Sequence, residues 1–158
     1  MKTEIPTEKN PKEQIRIRVA GIIPLEGGYA FMHRIGVKNH PIGNYYTFAG
    51  GGLEENETLE EGTKREIKEE FGIEVEVIKK VYEIERIKQK QKEYFFLCKY
   101  VGGEFGTGIG PEFSNNPKYA YRGKYKPEII KKEDLHKILL LPTEIRDKFI
   151  EDINKNTF

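Results

Sequence analysis

A single cysteine, Cys98, excludes an intrachain disulfide, and its place in the apolar run Tyr94-Phe95-Phe96-Leu97-Cys98 marks it as a packed core thiol. No apolar run reaches the roughly 18 residues of a membrane span, and no signal-peptide pattern is present. A soluble, cytoplasmic protein with no membrane partner is the resulting expectation. Charge of one sign is lacking too: 34% of residues are charged, yet the net charge is +1, so no global field favours nucleic acid or a lipid surface. There is no internal repeat. At 158 residues the chain suits one domain. We place it at 14–158, behind a loose polar arm at 1–13 that carries Pro6 and Pro11.

What is present alternates between strand and helix patterns. Ile15, Ile17 and Val19 interleave with Arg16 and Arg18, as in a strand with one apolar face. That run continues to Ile23, turns at Glu26-Gly27-Gly28 and returns through Tyr29 to Arg34, which predicts a hairpin. A short strand, Tyr45 to Phe48, leads into a turn of three glycines, Gly50 to Gly52. Two long strands, Glu74–Ile87 and Tyr94–Val101, flank a basic turn. The stretch from Gly102 to Lys124 is long and irregular, the kind of segment that is functional or disordered. Tyr125 to Lys131 reads as a final strand. Thr143 is placed to cap a closing helix that docks through Ile145, Phe149, Ile150 and Ile153.

The segment after the glycines carries the chemistry. At about 100° per residue, Leu59, Thr63, Ile67 and Phe71 form one apolar stripe. Asn56 or Glu57 is the expected cap and Gly72 the expected stop. Glu61, Lys64, Arg65 and Lys68 fall on the solvated back. Glu66, Glu69 and Glu70 fall beside the buried stripe, where like charges at i,i+4 repel and partial burial is costly. Clustered carboxylates at such an edge call for a cation, and an all-oxygen shell suits Mg²⁺ or Mn²⁺.

This segment resembles the Nudix box, G-x5-E-x7-R-E-U-x-E-E-x-G-U with U aliphatic. Gly51, Glu57, Arg65, Glu66, Ile67, Glu69, Glu70, Gly72 and Ile73 fill all nine defined positions. The resemblance implies an α/β fold, an α/β/α sandwich with a mixed sheet between helices. It also implies a metal-dependent pyrophosphohydrolase that cleaves the diphosphate linkage of a nucleoside diphosphate derivative by water attack. Gly50, Glu66, Glu69 and Glu70 are then the metal shell, with Glu66 a candidate general base. Arg65 joins the catalytic set by orienting Glu57 or a neighbouring glutamate through a bidentate bond. Gly62 reads as space for substrate or metal.

Outside the box, Arg34 and Arg18 are expected to contact substrate phosphate, as is Gly51 by its closeness to the site. His33 reads as an ordinary half-buried histidine. Glu112 is the expected additional metal ligand or base, with Glu104 its competitor. Gly106, Gly108 and Gly110 suggest a pliable lid ahead of it. Two other functions are compatible with the box: a non-catalytic module that senses ADP-ribose or a similar nucleotide, and an RNA 5′-end pyrophosphohydrolase. A small-molecule nucleotide is the expected partner and nucleic acid is disfavoured; the sequence is silent on oligomeric state, and a homodimer is compatible with the resemblance, since many relatives pair through strands.

Overall fold

The computed structural model describes residues 14–38, 40, 43–110 and 117–158, except for the side chain of Tyr119. The arm at 1–13 and the segment 111–116, which includes Glu112, lie outside the described residues. Nine strands form two sheets among the described residues. The first sheet runs β5 (Ala49–Gly52), β1 (Arg16–Ile22), β7 (Gln91–Gly103), β6 (Ile73–Arg86). It is mixed, because β1 pairs antiparallel with β5 and parallel with β7. The second contains β2 (Pro24–Leu25), β3 (Gly28–Ile35), β4 (Tyr45–Thr47) and β9 (Leu140–Leu141), with β8 (Lys124–Lys131) on β3. Two helices, α1 (Leu59–Phe71) and α2 (Thr143–Asn154), complete the α/β architecture.

The first sheet is apolar on both faces, which places it inside a sandwich. Successive strand side chains point to opposite sides, so Phe96 and Cys98 join Ile67 and Phe71 of α1 in one core cluster. Phe95 joins Ile145 and Phe149 of α2 in the other. Ile150 and Ile153 pack at its margin, as the helical spacing predicts. Cys98 is buried, and that burial pushes its thiol up to about 12, so it stays protonated.

Several local expectations are corrected. The predicted hairpin from β1 does not form: β1 pairs with β5 and β7, and only the two-residue β2 pairs back onto β3. The chain leaves the first sheet at Ile23 and enters the second at Pro24, then returns between Thr47 and Ala49. The α/β fold with mixed strands and helices stands as expected, with its strands divided over two sheets joined by these crossings. The glycines after Phe48 are a strand rather than a turn, with Gly51 opposite Val19. Thr58, not Asn56 or Glu57, caps α1. Its hydroxyl accepts from the Glu61 N–H, and the Glu61 carboxylate accepts from the Thr58 N–H, each at 3.1 Å. Thr143 is the first residue of α2; Pro142 takes the cap position without a side-chain bond. Gly72 stops α1 as expected, at φ 77°.

Candidate active site

Where the two sheets meet, they leave a cleft of about 740 Å³. One wall is acidic. Glu66 and Glu70, one turn apart on α1, line it and are only 9% and 6% exposed. They face the cleft because α1 lies on β1 and β5 with Ile67 and Phe71 turned into the core. Gly51 lies directly beneath Glu66: a Cβ there would be 2.5 Å from Glu66 Oε1. A side chain there would push the Glu66 carboxylate from this position, so the glycine lets the strand backbone lie against it as it stands. Gly50 lines the same wall.

Arg65 braces these acids from the side. Its Nε and Nη2 hold Glu57 in a bidentate pair at 2.7 and 2.9 Å. Its Nη1 donates to Glu66 Oε1 at 2.9 Å and to Glu69 Oε2 at 3.4 Å, and Nη2 also reaches the Gly52 carbonyl at 3.0 Å. The hydrogen bond to Glu57 is the chief cause that keeps the guanidinium firmly charged, and the same bond holds the Glu57 carboxyl below its ordinary range. Arg65 is therefore not part of a solvated back, a correction to the helical-wheel reading. Gly62 is corrected as well. A Cβ there would lie 2.6 Å from Leu53 Cδ1 and 3.0 Å from Glu57 Oε1, so the glycine serves packing under α1 and does not open onto the cleft.

The opposite wall is cationic and aromatic. Arg34, near the end of β3, lies with its guanidinium carbon 3.8 Å from the centroid of the Tyr125 ring and donates from Nη2 to the Arg122 carbonyl at 2.9 Å. Its Nε is buried and has no hydrogen-bond partner among the described residues. Arg122 and Tyr125 line the cleft beside it. Arg18 lines the floor, from a position on β1 opposite Gly52. Arg16, which alternation put on the same face, is exposed and does not line the cleft.

The structure thus brings together Gly50, Gly51, Glu66, Glu70, Arg18 and Arg34. Glu69 keeps a half-buried side chain on Arg65 and does not line the cleft. Among the described residues, no three His, Cys, Asp or Glu side chains converge as a metal centre. The donors that are present fit a hard divalent ion. They are two nearly buried carboxylates with backbone close by, and a glycine where a side chain would fill the space. His33 is a half-buried structural residue, paired with Glu128 and stacked 4.1 Å from the Tyr46 ring. Glu104 is exposed.

Two features went unread in the sequence. At the far end of the cleft, Arg86 of β6 bonds Glu144 of α2 at 3.1 Å and lies 3.9 Å from Glu93 of β7. The signal for Glu93 was alternation, since it shares a strand face with the buried Phe95. The second feature is the docking of Gly106–Gly110. Its Gly106 and Gly110 N–H groups donate to the Phe71 and Glu69 carbonyls, each at 2.9 Å. A segment expected to be pliable is docked on the end of α1.

A family model described as the NUDIX domain matches residues 15–122. An 8-oxo-dGTP diphosphatase from Proteus vulgaris is 39% identical over 64 residues, 40% of this chain and 55% of that protein. The chain therefore spans about half the length of that curated relative. A NUDIX hydrolase from Nitrosomonas europaea superposes with a TM-score of 0.67 over 96% of this chain and 84% of its own, at 19% identity. An ADP-ribose pyrophosphatase from Streptococcus suis gives 0.56 over 80% and 79%, also at 19% identity. At such identities the two structures speak for the fold alone.

Proposed function

Since the chain belongs to the NUDIX family by its match over residues 15–122, we propose that it is a metal-dependent pyrophosphohydrolase. Its substrate in this reading is a nucleoside diphosphate derivative, cleaved at the diphosphate linkage by water. The observation that carries the reading is the pair of nearly buried carboxylates, Glu66 and Glu70, on the same cleft as Arg34. A diphosphate needs cationic charge on its oxygens and a site for an activated water, and these two walls offer both.

Glu66 and Glu70, with the Gly50 carbonyl, are the residues to hold the cation, Mg²⁺ or Mn²⁺; Glu69, which stands outside the cleft, would join them where the ion replaces its 3.4 Å bond to Arg65. When bound, that ion supplies charge neutralisation at the phosphate oxygens and lowers the pKa of the attacking water. Arg34 and Arg18 bind and orient the phosphates from the other side. Tyr125 and the Arg122 carbonyl hold the Arg34 guanidinium flat, so its Nε is already desolvated before substrate arrives. Gly51 gives the phosphate chain room beside Glu66. Arg65 keeps Glu57, Glu66 and Glu69 in place. The water's proton passes to a carboxylate, for which Glu66 and Glu112 are the two candidates. The substrate is a small molecule in this reading, and a cytoplasmic location suits it.

A ³¹P product assay over a panel of nucleotides and nucleotide conjugates with Mg²⁺ tests this. Cleavage of one or more members at the diphosphate, abolished by EDTA, is expected. Full turnover in excess EDTA, or none on any member, would sink it. Glu112→Gln beside Glu104→Gln identifies the additional acid. A loss of kcat in Glu112→Gln alone is expected, and a loss confined to Glu104→Gln would give the role to Glu104.

A further inference from the structure

The last four carbonyls of a helix have no partner within it and need one from outside. In α1 these belong to Lys68, Glu69, Glu70 and Phe71, the turn that carries two of the three clustered acids, Glu66, Glu69 and Glu70. Gly72 N–H takes the Lys68 carbonyl at 2.9 Å. Gly110 and Gly106 take those of Glu69 and Phe71. Gly108 sits across the middle, where a Cβ would lie 2.4 Å from both the Glu69 and the Glu70 carbonyl oxygens. Phe105 anchors the segment on Phe71, with ring centroids 5.0 Å apart, and Thr107 closes its turn onto the Glu104 carbonyl at 2.7 Å.

Glycine at position 108 therefore does something other than loosen the chain. It lets a backbone from outside the box lie flat on the end of the acidic helix. We propose that Gly106–Gly110 is a positioning clamp for Glu69 and Glu70, and that Gly108 is the residue that permits it. A free helix end frays and swings its side chains, whereas a capped one holds them. The clamp fixes the last turn, and through it the carboxylate geometry that sets affinity for a divalent cation. In the proposed reaction these residues touch neither substrate nor metal; they act through the helix. The inference rests on the reading of Glu69 and Glu70 as part of a cation site.

The test compares Gly108→Ala with Gly102→Ala, whose added methyl meets nothing within 4 Å. Mn²⁺ affinity is measured by electron paramagnetic resonance, and amide exchange at Gly106 and Gly110 is followed in the metal-free protein. Gly108→Ala should lose on the order of tenfold to a hundredfold in Mn²⁺ affinity, as for residues that orient metal ligands. Its two amides should exchange faster, and KM for the nucleotide should change less than kcat. Gly102→Ala should match the wild type. A folded Gly108→Ala with wild-type Mn²⁺ affinity overturns the proposal. Should Gly108→Ala fail to unfold cooperatively, Gly110→Pro removes the N–H that bonds Glu69 with no change at position 108. Unchanged Mn²⁺ affinity there overturns the proposal equally. A wild-type protein that binds no Mn²⁺ and cleaves no nucleotide defeats the functional reading and this inference together. An active wild type with an indifferent Gly108→Ala defeats this inference alone.

Discussion

The two walls of the cleft are built by opposite means. The acidic wall is local in its spacing: its carboxylates lie within one turn of α1, between a cap and a stop and beside one neighbouring arginine, and the backbone of Gly106–Gly110 docks on the end of that turn from further along the chain. The cationic wall is assembled from afar. Arg34 of β3 meets Tyr125 of β8 and the carbonyl of Arg122, residues some ninety positions away in the chain. They come together only because β3 and β8 pair with Arg34 opposite Tyr125. A site that depends on helical spacing is set by neighbouring residues. A site that depends on strand register is set by the whole fold.

This contrast can be broken at either wall. The largest effect is expected on the acidic side, where Glu70→Gln should lower kcat by roughly 10²–10⁴ and leave the fold intact, since charge is lost where it is used in the reaction. Saturating kinetics with Mg²⁺, beside a circular dichroism spectrum, measures it; an unchanged kcat would take Glu70 out of the site. Arg34→Ala should act mainly on binding. A lost charge-assisted bond predicts a fall of about 10–100-fold in kcat/KM, carried mostly by KM. Tyr125→Leu should reproduce that pattern at a few-fold, because it removes only the ring beneath the guanidinium. A Tyr125→Leu defect in kcat alone would mean that the ring does not act through Arg34. Smallest of all, Glu61→Gln should shift stability by no more than about 0.5 kcal/mol in a denaturant titration and leave turnover alone, because glutamine also completes a capping box. A tenfold loss of turnover would place Glu61 nearer the chemistry than its capping bond does.

The same contrast explains what was legible in the sequence. Spacing within α1 predicted the burial of Ile67 and Phe71 and the inward bias of Glu66 and Glu70, because a helix repeats every few residues. Arg18 and Arg34 were found as cleft residues, but the support behind Arg34 was not, since no local pattern announces which strand pairs with β3. The cap differs from the expected Asn56 or Glu57 by one or two residues, because Thr58 and Glu61 close a reciprocal capping box while the Glu57 carboxylate is held by Arg65. The wheel placed Arg65 by angle alone and so exposed it, whereas a long guanidinium stem can fold back over its own helix to reach Glu57. Gly106–Gly110 was misread for a general reason. Glycine signals either freedom or close approach, and only the neighbouring backbone decides between them.

Arg65 has a consequence for the order of events in the life of the chain. A cluster of acids that must wait for a cation would leave the helix strained until the ion arrived. Here an internal counter-ion is already in place, tied to Glu57, Glu66 and Glu69 at once. The Arg65–Glu57 pair holds above the ordinary carboxylate range, and its contribution is lost as acid drives the pH down through the lowered pKa of Glu57. In the proposed reading, then, folding at neutral pH does not depend on loading: with Arg65 as counter-ion, emptying the cation site with a chelator is expected to leave the architecture standing.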